Sequence, residues 1–263
     1  MTDDILKAGY DAVHEAMPGS PTLRALWREH AAGSDFPDEF YHISFVTLAQ
    51  LRWMTGELQA GPGSTIADVG CGTGGPALWI ARATGASVVG VDFSSAAVAQ
   101  ATARASQLGL SDRAWFLSGT FDQTGLETAS VDAIASEDAL QYTPDKRAAF
   151  AEFARILRPG GRLAFTAFEL DPERARGLPV LGVDPAPDYR PLLEGAGFAV
   201  DSYEGVPGWS ETLRNAYQAL LDARPVLAQE MGEPATAALC AELAVTLQAQ
   251  PYRGRAQASA TRR

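Results

Sequence analysis

Cysteine and histidine are scarce in this chain of 263 residues. Its two cysteines, Cys71 and Cys240, are too few for a disulfide framework, so we expect both to be free thiols. The three histidines, His14, His30 and His42, lack the local spacing of metal ligands, and the cysteines show no four-ligand metal spacing. The sequence therefore predicts no metal site.

Basic residues are also in the minority, since 21 Lys and Arg stand against 32 Asp and Glu, which gives a net charge of −11. Nucleic-acid binding depends on clustered Lys and Arg, which here occur singly or in pairs, so we expect no nucleic-acid partner. No run approaches 18 uncharged apolar residues, and Asp3 and Asp4 stand where a secretory signal would carry positive charge. These absences predict a cytoplasmic protein without a membrane partner.

From about residue 64 the sequence alternates short β-branched runs with helical stretches. This alternation predicts an α/β fold in which helices cover both faces of a doubly wound, mostly parallel sheet. We expect seven strands, at residues 64–70, 86–92, 114–118, 131–136, 162–168, 198–203 and 254–261.

Apolar residues at helical spacing, without a strand signal, mark two further regions. We expect an N-terminal helical cap over residues 1–60, and a core over 61–263 with a helical insertion at 205–250, before the last strand. The expected helices of these regions are 5–17, 22–30, 40–58, 210–223 and 234–248. In the core, Ser94 is the expected N-cap of one helix, and Thr143 followed by Pro144 begins another.

A glycine-rich loop follows the first predicted strand and opens a helix. Gly70, Gly72 and Gly75 satisfy the GxGxxG pattern, in which glycines let the backbone approach a ligand closely. Asp92 ends the second strand 22 residues after Gly70, where a ribose-binding carboxylate is expected. Strand, loop, helix and acid-ended strand together predict a nucleotide-like ligand.

Asp68 helps to decide which nucleotide this is. A carboxylate two residues before the glycines would repel a diphosphate, which disfavours a nicotinamide-dependent dehydrogenase. S-adenosylmethionine instead carries an ammonium and a sulfonium, which an acid at this point would attract. The alternative, that Asp68 only bonds to loop amides, stays open.

The segment Asp68-Val69-Gly70-Cys71-Gly72-Thr73-Gly74 resembles the first motif of the class I S-adenosylmethionine-dependent methyltransferases. The similarity continues at residues 90–94, 130–134 and 156–163, and the small-molecule branch that acts on quinone precursors and secondary metabolites is the nearest in overall plan. The resemblance implies a Rossmann-like sheet, S-adenosylmethionine as cofactor and a small-molecule substrate.

The resemblance also implies roles for particular residues. Asp92 would bind both ribose hydroxyls, and Phe93 would lie against the adenine. The aspartate that the family often places after the third strand is missing here, so Thr120, Asp122 or a water would take its place. The full set of expected cofactor-binding residues is Asp68, Gly70, Cys71, Gly72, Thr73, Gly74, Asp92, Phe93, Thr120, Phe121, Ser136 and Glu137.

A second departure from the family concerns catalysis. Close relatives often carry a histidine shortly before a Pro-Asp pair, whereas this chain has Gln141 and Tyr142 before Pro144. Glutamine cannot take a proton, and tyrosine with a pKa near 10 is a poor base. We therefore expect His42, Gln141 and Tyr142 to be the catalytic or substrate-contacting set, with simple pocket lining as the alternative for the last two.

The sequence leaves two functions open. The first is methyl transfer to a small-molecule acceptor of the natural-product class, achieved mainly by positioning, because the donor is already activated. The second is a cyclisation or rearrangement that uses bound S-adenosylmethionine without methyl loss. A homodimer is compatible with either function.

Overall fold

The computed structural model describes residues 3–180 and 184–263, with side chains from Gly9 onward. A seven-stranded sheet forms its centre, with the strand order β3-β2-β1-β4-β5-β7-β6. All neighbours from β3 to β5 are parallel, and β7 runs antiparallel to both β5 and β6. The strands are β1 Thr65–Val69, β2 Ser87–Asp92, β3 Ala114–Ser118, β4 Val131–Glu137, β5 Leu157–Leu170, β6 Phe198–Gly205 and β7 Arg253–Arg262. The expected seven-stranded, mostly parallel α/β sheet is confirmed.

Helices precede, connect and follow the strands. The first three, α1–α3, come before the sheet, α4–α7 lie between its strands, and α8–α10 lie between β6 and β7. Their bounds are α1 Asp3–Ala16, α2 Pro21–Trp27, α3 Leu48–Leu58, α4 Gly75–Thr84, α5 Ser95–Gln107, α6 Lys146–Ile156, α7 Arg190–Gly195, α8 Trp209–Asp222, α9 Arg224–Met231 and α10 Glu233–Ala249. The division into a cap over 1–60 and a core stays a prediction, and residues 1 and 2 of that cap lie outside the described chain.

Helix caps explain where two of the expected bounds were wrong. We expected a helix from residue 40, but α3 begins at Leu48 because Thr47 and Gln50 form a reciprocal capping box. Likewise α6 begins at Lys146, since the Asp145 carboxylate, and not Thr143, accepts the Ala148 N–H. The short helix α9 was not expected at all. The expected N-cap Ser94 is confirmed, and its hydroxyl accepts the Ala97 N–H.

Each face of the sheet is sealed by apolar side chains. Phe150, Phe153 and Phe165 pack on one face, and Leu51 and Leu78 belong to the cluster on the other. Each fully buried side chain of this size stabilises the fold by about 1.5–3 kcal/mol.

A third apolar cluster joins helices from the two ends of the chain. Trp27 of α2, Leu213 and Tyr217 of α8, and Leu239 of α10 are buried together. Leu243, one helical turn further along α10, belongs to the same cluster. Residues that are remote in sequence therefore form one layer beside the sheet. Among residues 3–180 and 184–263, no helix combines the length and apolar character that crossing a bilayer requires.

Candidate active site

A cavity of about 810 Å³ lies where the carboxyl ends of β1, β2 and β4 meet. The strand order reverses between β1 and β4, which is the position where open α/β sheets bind ligands. Its lining has two parts. The glycine floor is formed by Val69–Thr73 and Val91–Phe93, and the helical wall by residues of α1, α8 and α10, among them Tyr10, His14, Tyr217 and Glu242.

The glycines of the floor have unequal surroundings. Gly70 has φ +84°, and a Cβ there would lie 2.6 Å from the Ala139 Cβ. Gly72 has φ +52°, and a Cβ there would meet only the His14 Cε1, at 4.0 Å. Gly70 is therefore required by packing, whereas Gly72 keeps its backbone open to the cavity.

Asp92 stands at the carboxyl end of β2 and lines the cavity although it is only 6% exposed. Its two oxygens accept the N–H groups of Gly72 and Ser94, at 2.8 and 2.9 Å. Burial raises the pKa of Asp92, and these two hydrogen bonds partly oppose the rise. Each carboxylate oxygen can accept a further bond, so Asp92 can still bind a ligand hydroxyl.

A pair of acidic residues, Asp68 and Glu137, lies next to the floor. Asp68 is fully buried, and since it pairs in register with Ala135, Glu137 falls on the same face of the neighbouring strand. The groups that face the Asp68 carboxyl as hydrogen-bond partners are the Glu137 carboxyl and the backbone N–H of Ala77. Burial raises the pKa of Asp68 to about 7, and burial together with Asp68 raises the pKa of Glu137 well above its usual value. The two carboxyls therefore share a proton near neutral pH.

The structure brings most of the expected cofactor-binding residues to this cavity. Those that line it are Gly70, Cys71, Gly72, Thr73, Asp92, Phe93, Thr120, Phe121 and Glu137. Three others lie behind the lining, and each has a local role. Asp68 faces Glu137, Gly74 precedes α4 with φ +77°, and the Ser136 hydroxyl donates to the Val69 carbonyl at 2.7 Å.

The position of the missing adenine-binding aspartate is also at the cavity. Thr120 and Asp122 both line it, and the Thr120 hydroxyl donates to Asp122 at 2.7 Å. Asp122 thus supplies a carboxylate three residues after Gly119, whereas the family's Gly-Asp pattern has the aspartate directly after the glycine.

The three expected catalytic residues all line the cavity, but two of them are already engaged. The Gln141 amide donates to the Asp138 carbonyl and accepts the Phe168 N–H at 3.4 Å, so it braces the loop after β4. The Tyr142 hydroxyl donates to Glu242 at 2.8 Å. Burial and the nearby Glu242 raise the pKa of Tyr142 well above its usual value, which makes it a still poorer base.

His42 is buried and neutral. Its Nδ1 accepts the Ser44 backbone N–H at 3.3 Å, which leaves the proton on Nε2. No hydrogen-bond partner reaches Nε2 among the described residues, and burial lowers the pKa of His42 to about 4. His42 can therefore donate a hydrogen bond at this site but is poorly suited to accept a proton.

Sequence reasoning missed Glu242. This residue of α10 accepts hydrogen bonds from Tyr10 and Tyr142, so it joins α1 to the turn after β4 across the cavity. Its only sequence signal is a carboxylate between Leu239 and Leu243, the buried face of a helix.

Negative charge dominates the lining. Asp92, Asp122, Glu137, Asp138 and Glu242 line the cavity, and no Lys or Arg is among the described residues that do so. In an interior of low dielectric such a lining favours a cationic ligand and opposes a diphosphate. Within the described ranges no cluster of three or more His, Cys, Asp or Glu side chains could hold a metal ion.

Comparison with known proteins agrees with this geometry. Residues 67–165 match the family model described as a methyltransferase domain. The chain is 30% identical over 226 residues to 27-O-demethylrifamycin SV methyltransferase of Amycolatopsis mediterranei, an alignment that covers 80% of this chain and 81% of that one. The chain belongs to the class I S-adenosylmethionine-dependent methyltransferases. The resemblance seen in the glycine loop and the strand ends is confirmed.

Two further likenesses extend over most of this methyltransferase. Methyltransferase GfsG of Streptomyces halstedii is 32% identical over 231 residues, which cover 82% of this chain and 81% of that one. The crystal structure of the [4+2]-cyclase SpnF superposes with a TM-score of 0.76 at 24% identity, over 99% of this chain and 96% of that one. The fold therefore includes the helices around the sheet as well as the sheet itself.

Proposed function

We propose that this methyltransferase transfers the methyl group of S-adenosylmethionine to a small-molecule acceptor. The observation that carries the proposal is the acid-lined cavity on the glycine floor, which has no Lys or Arg among the described residues that line it. A sulfonium donor with its ammonium group suits such a lining, whereas the diphosphate of a nicotinamide coenzyme would have no counter-charge there.

The cavity offers a partner for each part of the donor. Asp92 would take the ribose hydroxyls, with Phe93 beside the adenine and Asp122 within reach of its amino group. The open backbone at Gly72 would lie along the methionine end, and Glu137, backed by Asp68, would face the ammonium. Binding a cation would favour the ionised form of this carboxyl pair, so the donor would displace the shared proton.

S-adenosylmethionine supplies an activated methyl group on a neutral leaving sulfide. The contribution of the chain is to align an acceptor with that methyl carbon and to exclude water. Such alignment alone can supply on the order of 7–11 kcal/mol of the barrier reduction. Helices α1 and α10, which the Tyr10–Glu242 hydrogen bond joins in the wall, would close the cavity for this purpose.

The acceptor is proposed to be a neutral and largely apolar molecule. A cavity of about 810 Å³ lies in the upper part of the range for small-molecule sites and leaves room beyond the donor. Trp27, Phe45, Phe168 and Tyr217 line it and would suit a flat or apolar acceptor. The similarity to a 27-O-demethylrifamycin SV methyltransferase supports a natural-product acceptor.

Isotope labelling tests the proposal. The protein is incubated with S-adenosylmethionine carrying a deuterated methyl group and with 2-naphthol, 1,4-hydroquinone or 27-O-demethylrifamycin SV. We expect a product that carries the label and an equal amount of S-adenosylhomocysteine. Donor binding without any label transfer to these acceptors would contradict it, and a rearranged product formed while the donor stays intact would favour the cyclase alternative.

A further inference from the structure

Glu242 is held in the cavity by a specific arrangement. The hydroxyls of Tyr10 and Tyr142 both donate to one of its oxygens, Oε1, at 3.0 and 2.8 Å. The other oxygen, Oε2, receives no hydrogen bond from the described residues. Since Glu242 lines the cavity, its carboxylate presents an unused acceptor beside the space left for substrate.

Most other titratable groups of the lining are engaged or lie at the donor end of the cavity, where Asp122 accepts the Thr120 hydroxyl and His14 lies beside Gly72. Asp138 accepts a bidentate pair of hydrogen bonds from Arg255 and a third from the Phe45 N–H. Glu137 faces Asp68, and His42 carries its proton on Nε2. Asp92 accepts two backbone N–H groups at the far end of the floor. Glu242 is therefore the carboxylate best placed to accept a proton.

The surroundings of Glu242 favour that use. Burial raises its pKa above the usual value, while the hydroxyls of Tyr142 and Tyr10 and the charge of Arg253 oppose the rise. The remaining titratable neighbour is Tyr217 of α8, whose pKa is itself raised by burial. A carboxylate that is more basic than usual, and whose ionised form is supported by two hydroxyls that donate to it, is suited to general-base catalysis.

We propose that Glu242 accepts the proton of the acceptor hydroxyl during methyl transfer, an inference that rests on the proposed function. The acceptor oxygen forms a bond to the methyl carbon, and the carbon–sulfur bond breaks with its electron pair left on sulfur. The hydroxyl proton passes to Oε2 of Glu242 and afterwards to solvent. The substrate class is thus a neutral molecule whose reacting group is an O–H that water leaves unionised.

Glu242→Gln separates this role from a structural one, because glutamine keeps an oxygen that can accept both tyrosine hydroxyls but cannot take the proton. With 2-naphthol and 27-O-demethylrifamycin SV as probes, we expect kcat to fall by about 100-fold or more, while the Kd for S-adenosylmethionine stays within about twofold. The acid limb of the wild-type pH profile should vanish in this variant and return in Glu242→Asp.

Tyr10→Phe is the matched variant, since it removes one hydrogen bond from the same oxygen and leaves the carboxylate. It should retain the acid limb. A Glu242→Gln enzyme with wild-type kcat and an unchanged pH profile would overturn the proposed role of Glu242. It would leave the proposed methyl transfer standing, because the wild-type enzyme would still transfer the label. If kcat fell as much in Tyr10→Phe as in Glu242→Gln, and both variants kept the acid limb of the pH profile, the inference would be overturned. Glu242 would then have only a structural role, through its hydrogen bonds to the two tyrosines. Absence of label transfer by the wild type would overturn both proposals.

Discussion

The glycine floor and the helical wall enclose one cavity but are built in different ways. The floor comes from two short segments, 69–73 and 91–93, that strand pairing brings side by side. The wall comes from α1, α8 and α10, so that Tyr10 and Glu242 meet across 232 positions of sequence. The proposed cofactor end is therefore fixed by local sequence, whereas the proposed acceptor end depends on how distant helices pack.

The largest effect is expected from a buried ion pair that joins β7 to the loop before α3. Arg255 is buried and holds Asp138, which in turn accepts the Phe45 N–H. Arg255→Met leaves the Asp138 charge unpaired, so the free energy of unfolding should fall by about 3–5 kcal/mol in urea titrations. The double variant Asp138→Asn with Arg255→Met should recover part of that loss. A single variant within about 1 kcal/mol of the wild type would contradict the importance of this pair.

Substitutions at two glycines test how tightly the floor is packed. Gly70→Ala adds a Cβ that clashes with Ala139 at a positive φ, so it should lower the free energy of unfolding by about 2–4 kcal/mol. Gly72→Ala meets no such contact and should cost about 1 kcal/mol, mainly from backbone strain. Gly56→Ala, in the open interior of α3, is the control and should stabilise by about 0.5–1 kcal/mol. Equal losses for Gly70→Ala and Gly72→Ala would show that packing does not distinguish them.

Asp92→Ala probes the function of the floor with a smaller energy. Loss of the charge-assisted hydrogen bonds to a ribose should weaken the binding of S-adenosylmethionine by about 3 kcal/mol, which is a rise of roughly 100-fold in the Kd measured by calorimetry. Asp112→Ala removes an exposed aspartate and should leave the Kd unchanged. An unaltered affinity of Asp92→Ala for S-adenosylmethionine would contradict the proposal that Asp92 binds the ribose.

The Asp68 pair gives the smallest effect, and it depends on pH. The pKa of Asp68 is about 7 in the folded protein against 3.8 as the ordinary value, so the protonated form is favoured by folding. The contribution of protonated Asp68 to the free energy of unfolding is complete below about pH 4 and is lost as the pH rises through about 7. In the absence of donor, Asp68→Asn should therefore stabilise the protein at pH 8 by about 1 kcal/mol, which corresponds to a Tm roughly 2–4 °C above that of the wild type. At pH 5 the increase in Tm should be smaller.

Asp112→Asn is the control for this measurement, because the side chain is exposed and should show no such difference between the two pH values. A Tm of Asp68→Asn below that of the wild type at pH 8 would mean that the Asp68 charge stabilises the fold.

The sequence allowed the sheet and the floor to be predicted because strand period, glycines and strand-end acids are local signals. Even there, Asp68 lies behind the floor and not in it, since its strand is covered on both faces. The capping box of Thr47 and Gln50 was visible in the sequence, yet apolar spacing from residue 40 predicted a longer helix. The partnership of Glu242 with Tyr10 and Tyr142 could not be predicted, because it depends on tertiary packing of three separate elements.

The most direct measurement is equilibrium binding of S-adenosylmethionine and of NADH to the same preparation by calorimetry. The anionic lining predicts binding of the sulfonium compound and no measurable heat from the dinucleotide. Tight NADH binding with no response to S-adenosylmethionine would contradict the claim that this cavity is built for a cationic donor.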